Sequence, residues 1–173
     1  MIDSAHMKML VLGLFLALTA LAQKIEIESD QAVDFSKFKT FAIRDSRLNS
    51  KNPSLNNDLV RRRIDAGIRK ALEAKGLAFV DSGQSDLNVR YTLGAVRKTE
   101  LEAYPAGWRG WGTRVVRVPY TEGTLVIDLR DPSTRSLVWR AIARQDKGDA
   151  AKLEGKLDDM VRKSFDKYPP KGK

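Results

Sequence analysis

The hydrophobic period of this chain changes along its length, and that constrains its fold more than any single motif does. Val60, Ile64, Ile68, Ala71 and Leu72 recur at three- and four-residue intervals, as do Leu153, Leu157, Met160, Val161 and Phe165. Such stripes make a helix apolar on one side only. They predict helices over about residues 55–75 and 150–167. Gly76 is a stop signal for the first, and Tyr168-Pro169-Pro170 ends the second. The remaining patterned stretches alternate, which gives a strand one apolar face.

Lys24–Ser29 (KIEIES), Thr40–Arg44, Leu77–Val80 and Asp86–Leu93 read as strands, the last continuing to about Lys98 past a bulge at Gly94. Arg114–Tyr120 resumes as a strand that Pro119 confines to an edge or breaks. Gly123–Arg130 and Ser136–Ala143 form a hairpin in which Leu125, Ile127 and Leu129 match Leu137, Trp139 and Ala141. Asp45–Asn57, with Pro53 and four asparagines, reads as a loop ending in a helix cap. One-sided helices and one-sided strands bury their apolar faces against each other. The order β-β-α-β-β-β-β-α therefore predicts an α+β fold: a mostly antiparallel sheet of about six strands, with two helices packed on one face.

The N-terminus has a separate logic. Met9–Ala22 is an uninterrupted run of 14 apolar or small residues. A membrane-spanning helix needs about 20, whereas a signal peptide's apolar region needs about 7–15. Lys8 supplies the positive flank and Ala20-Leu21-Ala22 the small-x-small cleavage pattern. Residues 1–22 are thus expected to be a signal peptide and residues 23–173 a single domain, with initiation at Met1 or Met7 left open. Gln23 stands where a lipid-anchored protein carries cysteine. The expected product is exported, periplasmic or secreted or peripheral to the outer membrane, with no transmembrane helix after processing.

Composition narrows the chemistry. The chain has no cysteine, which excludes disulfides, thiol nucleophiles and thiolate metal sites. Its one histidine, His6, precedes the expected cut, so the processed chain lacks the commonest general acid–base side chain. No Gly-x-Ser-x-Gly, phosphate-binding Gly-Lys-Ser/Thr or zinc-ligand pattern occurs. No catalytic residue, metal ligand or cofactor is assigned. A hydrolase using paired carboxylates or a Ser–Lys dyad is the alternative reading, because it needs only residues that are present. The net charge of +9 would suggest nucleic acid inside a cell. For an exported chain it points instead to anionic lipid surfaces, acidic envelope polymers or an envelope protein.

The segment from Arg97 to Pro119 is the candidate contact surface. It sets Tyr104, Trp108 and Trp111 among glycines and prolines, with five basic residues (Arg97, Lys98, Arg109, Arg114, Arg117) against Glu100 and Glu102, a local charge of +3. Aromatic rings stack on sugars or sit at lipid interfaces, and arginines pair with phosphate or carboxylate. Tyr104, Trp108, Arg109, Trp111 and Arg114 are the binding candidates. The competing reading is a hairpin loop whose tryptophans fold back over the sheet edge.

Other constellations have plainer explanations. Arg61-Arg62-Arg63 reads as a solvated helix face, with Asp58–Arg62 and Asp65–Arg69 as i,i+4 pairs worth about 0.2–0.5 kcal/mol each. Asp158–Arg162 and Asp159–Lys163 are further such pairs. Asp131 fits turn chemistry better than a cation site with Asp128, and Glu26 and Glu28 fit the outer face of a sheet.

Several segments together resemble the domain-of-unknown-function 4136 family of bacterial envelope proteins. They are Asp34-Phe35-Ser36-Lys37-Phe38-Lys39-Thr40-Phe41, Ala71-Leu72-Glu73-Ala74-Lys75-Gly76-Leu77, Ser85-Asp86-Leu87-Asn88-Val89, Glu122–Leu129 with Asp131 and Leu137-Val138-Trp139-Arg140, and Lys167-Tyr168-Pro169-Pro170. The resemblance implies residence in the envelope, many members being lipoproteins, and brings no catalytic residue or cofactor. The missing cysteine departs from the lipoprotein pattern.

Overall fold

In the computed structural model, which describes residues 23–105, 113–148 and 150–170, the alternating stretches are the strands of one seven-stranded sheet. In chain order the strands are β1 (Lys24–Ser29), β2 (Thr40–Ile43), β3 (Arg47–Ser50), β4 (Ala78–Phe79), β5 (Leu87–Pro105), β6 (Thr113–Asp131) and β7 (Ser136–Gly148). Helix α1 (Asp58–Glu73) lies between β3 and β4, and α2 (Ala150–Ser164) follows β7. The spatial order is β1-β7-β6-β5-β2-β4, with β3 pairing β5 beyond the end of β2. The predicted signal peptide falls outside the described residues.

The α+β architecture is as expected, but the sheet is mixed. β1, β7, β6 and β5 run antiparallel, whereas β2 and β3 lie parallel to β5, and β4 parallel to β2. β3 lies inside the stretch read as a loop. Its four residues, Arg47-Leu48-Asn49-Ser50, carry one apolar side chain, so their pairing with Thr92–Ala95 rests on the neighbouring strand rather than on their own pattern. The bulge expected at Gly94 is absent, since Gly94 sits opposite Thr124 in regular register. The irregularities lie instead between β6 and β7, at Thr121/Gly123 and Leu129/Arg130. The second places Leu137 opposite Arg130 and aligns Leu129 with Trp139 and Ile127 with Ala141.

Both helices start and stop for local reasons. Asn57 caps α1, its side-chain oxygen accepting from Val60 N–H at 3.0 Å. The helix closes at Gly76, whose φ of +89° favours glycine, while Leu77 N–H reaches back to Leu72 C=O at 3.2 Å. The stripes Val60/Ile64/Ile68/Leu72 and Leu153/Leu157/Met160/Val161/Phe165 are buried in one cluster with Leu87, Val89, Tyr91, Leu93, Leu125, Ile127 and Leu129. An aromatic group closes its end. Trp139 stacks on Phe165 at 5.2 Å, and Tyr168 meets Trp139, Phe165 and Phe35 edge-on.

The opposite face of the sheet carries charge. Glu26 bonds Arg144 at 2.8 Å, and Asp128 accepts two bonds from Arg140 at 2.7 and 2.9 Å. This matches the outer-face reading of Glu26 and removes Asp128 from any cation site. The predicted Asp65–Arg69 pair does not form, because Arg69 turns to Glu73 at 2.8 Å and lies over the Phe79 ring. Asp58 approaches Arg61 rather than Arg62, at 4.0 Å. Asp158 bridges to Arg63 on the other helix with bonds of 2.7 and 2.8 Å, while Arg162 takes Asp159. The Asp159–Lys163 pair forms as expected. No helix among the described residues is long and apolar enough to cross a membrane.

Candidate functional site

The segment singled out in the sequence belongs to a protruding strand pair. β5 and β6 are each 19 residues long and pair continuously from Asn88↔Arg130 to Pro105↔Thr113. Their other neighbours end early. β3 pairs β5 no further than Ala95, and β7 leaves β6 at Thr121. Among the described residues, 97–105 and 113–120 therefore form a two-stranded ribbon, about 30 Å long at the usual rise per residue. Pro119 lies on this part of β6, where no third strand among the described residues needs its missing N–H.

The strands thus run well into the segment whose competing reading was a hairpin loop, β5 reaching Pro105 and β6 starting at Thr113. Tyr104 and Arg114 are register partners at the far end of the ribbon. Trp108, Arg109 and Trp111 fall in residues 106–112, outside the described residues. Midway along, Leu101 is opposite Arg117, and both side chains are exposed, Leu101 at 65%. A two-stranded ribbon has few ways to bury a leucine by itself.

A second feature, not signalled by any single motif, sits at the opposite end of the β5–β6 pair. A cleft of about 800 Å³ is lined by Lys37, Arg44, Asp45, Gln84, Asp86, Asn88, Asp131 and Ser133, with Phe38 and Pro132 among its few apolar walls. Several of its walls are fixed by hydrogen bonds that belong to the fold. Asp86 Oδ2 accepts from the backbone N–H of Lys39 and Thr40 at 2.8 and 2.9 Å, and Asp86 N–H donates to Thr40 Oγ1 at 2.9 Å. These bonds clamp the start of β5 to the start of β2. Asp131 Oδ1 accepts from Ser133 N–H at 2.8 Å and from the Ser133 hydroxyl, which closes the β6–β7 turn. Arg44 donates to the carbonyls of Asp81 and Gly83 at 3.1 and 3.3 Å. Lys37 Nζ stands 3.6 Å from Asp131 Oδ2 and over the Phe38 ring.

Both bonded carboxylates titrate below their ordinary range. For Asp86 the largest cause is the backbone N–H of Lys39, then that of Thr40; for Asp131 it is the Ser133 hydroxyl. A group whose folded pKa is depressed stabilises fully above its unfolded value, near 3.9, and loses that contribution as pH falls through the folded value. Asp86→Asn is therefore expected to destabilise the protein at pH 7, and the gap to wild type should narrow as pH falls below about 4. Urea unfolding across pH 3–7 checks this; a gap that stays constant would show that the charge on Asp86 is immaterial.

Among the described residues no group of three or more His, Asp or Glu is placed to hold a metal ion. The cleft does gather residues from segments far apart in sequence, namely Lys37 and Phe38, Ser85, Asp86 and Asn88, and Asp131. No one segment shows the grouping, because it depends on β2 and β5 pairing in parallel.

Comparison with solved structures gives the same fold at low identity. A PDZ domain protein from Parabacteroides distasonis superposes with a TM-score of 0.58 and 18% identity, over 87% of this chain and 36% of the other. This chain thus spans about a third of that protein. The PelC dodecamer from Paraburkholderia phytofirmans superposes with a TM-score of 0.50 and 13% identity, over 83% of this chain and 95% of that one. At these identities the likeness is one of fold. No curated protein matches the sequence. The sequence segments noted above do find their counterpart in a family model, described as a domain of unknown function, which matches residues 25–170; the chain belongs to this family, DUF4136.

Proposed function

We propose that the protein is a non-catalytic contact module of the bacterial cell envelope, exported by its N-terminal segment, with the β5–β6 ribbon as its contact arm. The observation that carries the reading is the ribbon itself. Two strands extend past every neighbour among the described residues and hold Leu101 exposed beside Arg117. In sequence, residues 106–112 between the two strands bring Trp108, Arg109 and Trp111, with Tyr104 and Arg114 on either side. Aromatic and arginine side chains together suit an anionic envelope polymer, a lipid surface or a partner protein.

The chemistry of the cleft supports the non-catalytic part. Hydrolysis by two carboxylates uses one that stays protonated near neutral pH as general acid. Asp86 is held on the ionised side by the backbone N–H groups of Lys39 and Thr40, and Asp131 by the Ser133 hydroxyl and N–H that close its turn.

The test is co-sedimentation of the purified protein with envelope fractions. The triple variant Trp108→Ala, Arg109→Ala, Trp111→Ala is expected to lose most of the bound protein while keeping the wild-type melting temperature. Undiminished binding by the triple variant would remove the ribbon as the contact surface.

A further inference from the structure

We infer that the cleft between the β2–β5 start and the β6–β7 turn is a binding site for a neutral, hydroxyl-rich ligand of the saccharide class. The argument rests on what its walls have left to offer once the fold is satisfied. Asp86 spends Oδ2 on two backbone N–H groups, and Asp131 spends Oδ1 on Ser133. The other oxygen of each carboxylate remains, Asp131 Oδ2 being met among the described residues by Lys37 at 3.6 Å. Beside them stand the side-chain amide of Gln84, the NH2 group of Asn88, whose Oδ1 already accepts from the Ser85 hydroxyl at 3.1 Å, and the oxygen of Ser133, whose proton is given to Asp131.

Acceptors and donors are therefore interleaved, and a hydroxyl is the group that can donate to one and accept from the other. An anion fits poorly, because the lining sets Lys37 and Arg44 against Asp45, Asp86 and Asp131, one negative charge in excess. Arg44 is moreover committed to two carbonyls. A purely cationic ligand would be repelled by Lys37 and Arg44 and would have no acceptor for the amide N–H groups of Gln84 and Asn88. The volume of about 800 Å³ lies within the range of small-ligand sites, about 300–1,000 Å³, and suits two or three sugar rings better than a single ion. The walls are also pre-formed, since the hydrogen bonds that hold them belong to the fold and owe nothing to a ligand.

The site lies at the opposite end of β5 from the ribbon, so it neither needs nor excludes the contact described above. The experiment is an NMR titration of the purified protein with maltotriose and with the trimer of N-acetylglucosamine, with spermidine and inorganic phosphate as charged probes. A neutral trisaccharide is expected to move the backbone amides of Gln84–Asn88 and Ser133, with a Kd of order 1 mM. Gln84→Ala and Asn88→Ala should each weaken it about three- to tenfold. Gln84 is exposed, so its substitution leaves the fold intact and keeps the test interpretable. Silence of these amides towards both sugars overturns the inference, as does movement with spermidine or phosphate alone. Binding that is unchanged in both variants overturns it too, by placing the sugar elsewhere. The ribbon's triple variant should titrate like wild type.

Discussion

Trp139→Ala is expected to cost about 3–5 kcal/mol, the range for deleting a fully buried large aromatic side chain. Trp139 has no exposed surface and stacks at 5.2 Å on Phe165, with a 12° angle between the rings. Tyr168 meets it edge-on at 5.7 Å, so one truncation loosens β7, α2 and the chain after α2 together. Against a total of about 5–15 kcal/mol for an ordinary domain, the loss is a large fraction of what there is. Trp139→Phe should cost much less. The indole Nε1 has no hydrogen-bond partner among the described residues, so the substitution forfeits no bond there and keeps a ring against Phe165. The Tyr168 hydroxyl is likewise buried with no partner among the described residues, and burial pushes its pKa up to about 12. Urea unfolding of the two Trp139 variants decides the matter; equal losses would mean that the indole nitrogen contributes something the geometry does not show.

The ease with which this core could be read in the sequence follows from where periodicity is strong. Trp139 stands in alternating register with Leu137 and Ala141, and Phe165 closes a helical stripe, so both were legible as core before any fold was known. Leu137 was not legible correctly, because the irregularity at Leu129/Arg130 shifts the row by one residue and a bulge leaves no mark on an alternating pattern. β3 was invisible for a related reason: Arg47-Leu48-Asn49-Ser50 has no apolar face, and what makes it a strand is the open edge of β5 beside it.

The ribbon shows the opposite error. Glycine, proline and tryptophan at 105–113 suggested a long loop, yet the flanking residues pair to Pro105↔Thr113. Pairing between adjacent strands tolerates weak patterning when the connection is short. The cleft was the least legible feature. Asp131 was correctly read as a turn residue, and Asp86 lay in a recognisable segment. Their meeting depends on the parallel β2–β5 pairing, and single-sequence patterns carry no information about which strands become neighbours.

Gly123 makes a second large effect predictable. It sits in β6 opposite Ala95 and Gln145, under the buried Leu153 of α2. A Cβ added there would lie 2.9 Å from Leu153 Cγ and closer still to both methyl carbons. Leu153 is only 2% exposed and has little room to retreat, so Gly123→Ala should cost about 1–3 kcal/mol through overpacking. Leu153→Ala alone should cost about 2–5 kcal/mol through the cavity it leaves. The two changes are complementary in space: the methyl group of one occupies volume vacated by the other. The double variant should therefore lose less than the sum of the single losses, with a coupling of about 0.5–3 kcal/mol. Gly155 is the control, exposed within the same helix with nothing inside 4 Å of its added Cβ. Gly155→Ala should stabilise by up to about 1 kcal/mol, since only helix propensity changes. Chemical unfolding of the four variants measures all these terms. Strict additivity of Gly123→Ala and Leu153→Ala would refute the contact by which α2 seats on β6 where the two outer neighbours of the β5–β6 pair come to their ends.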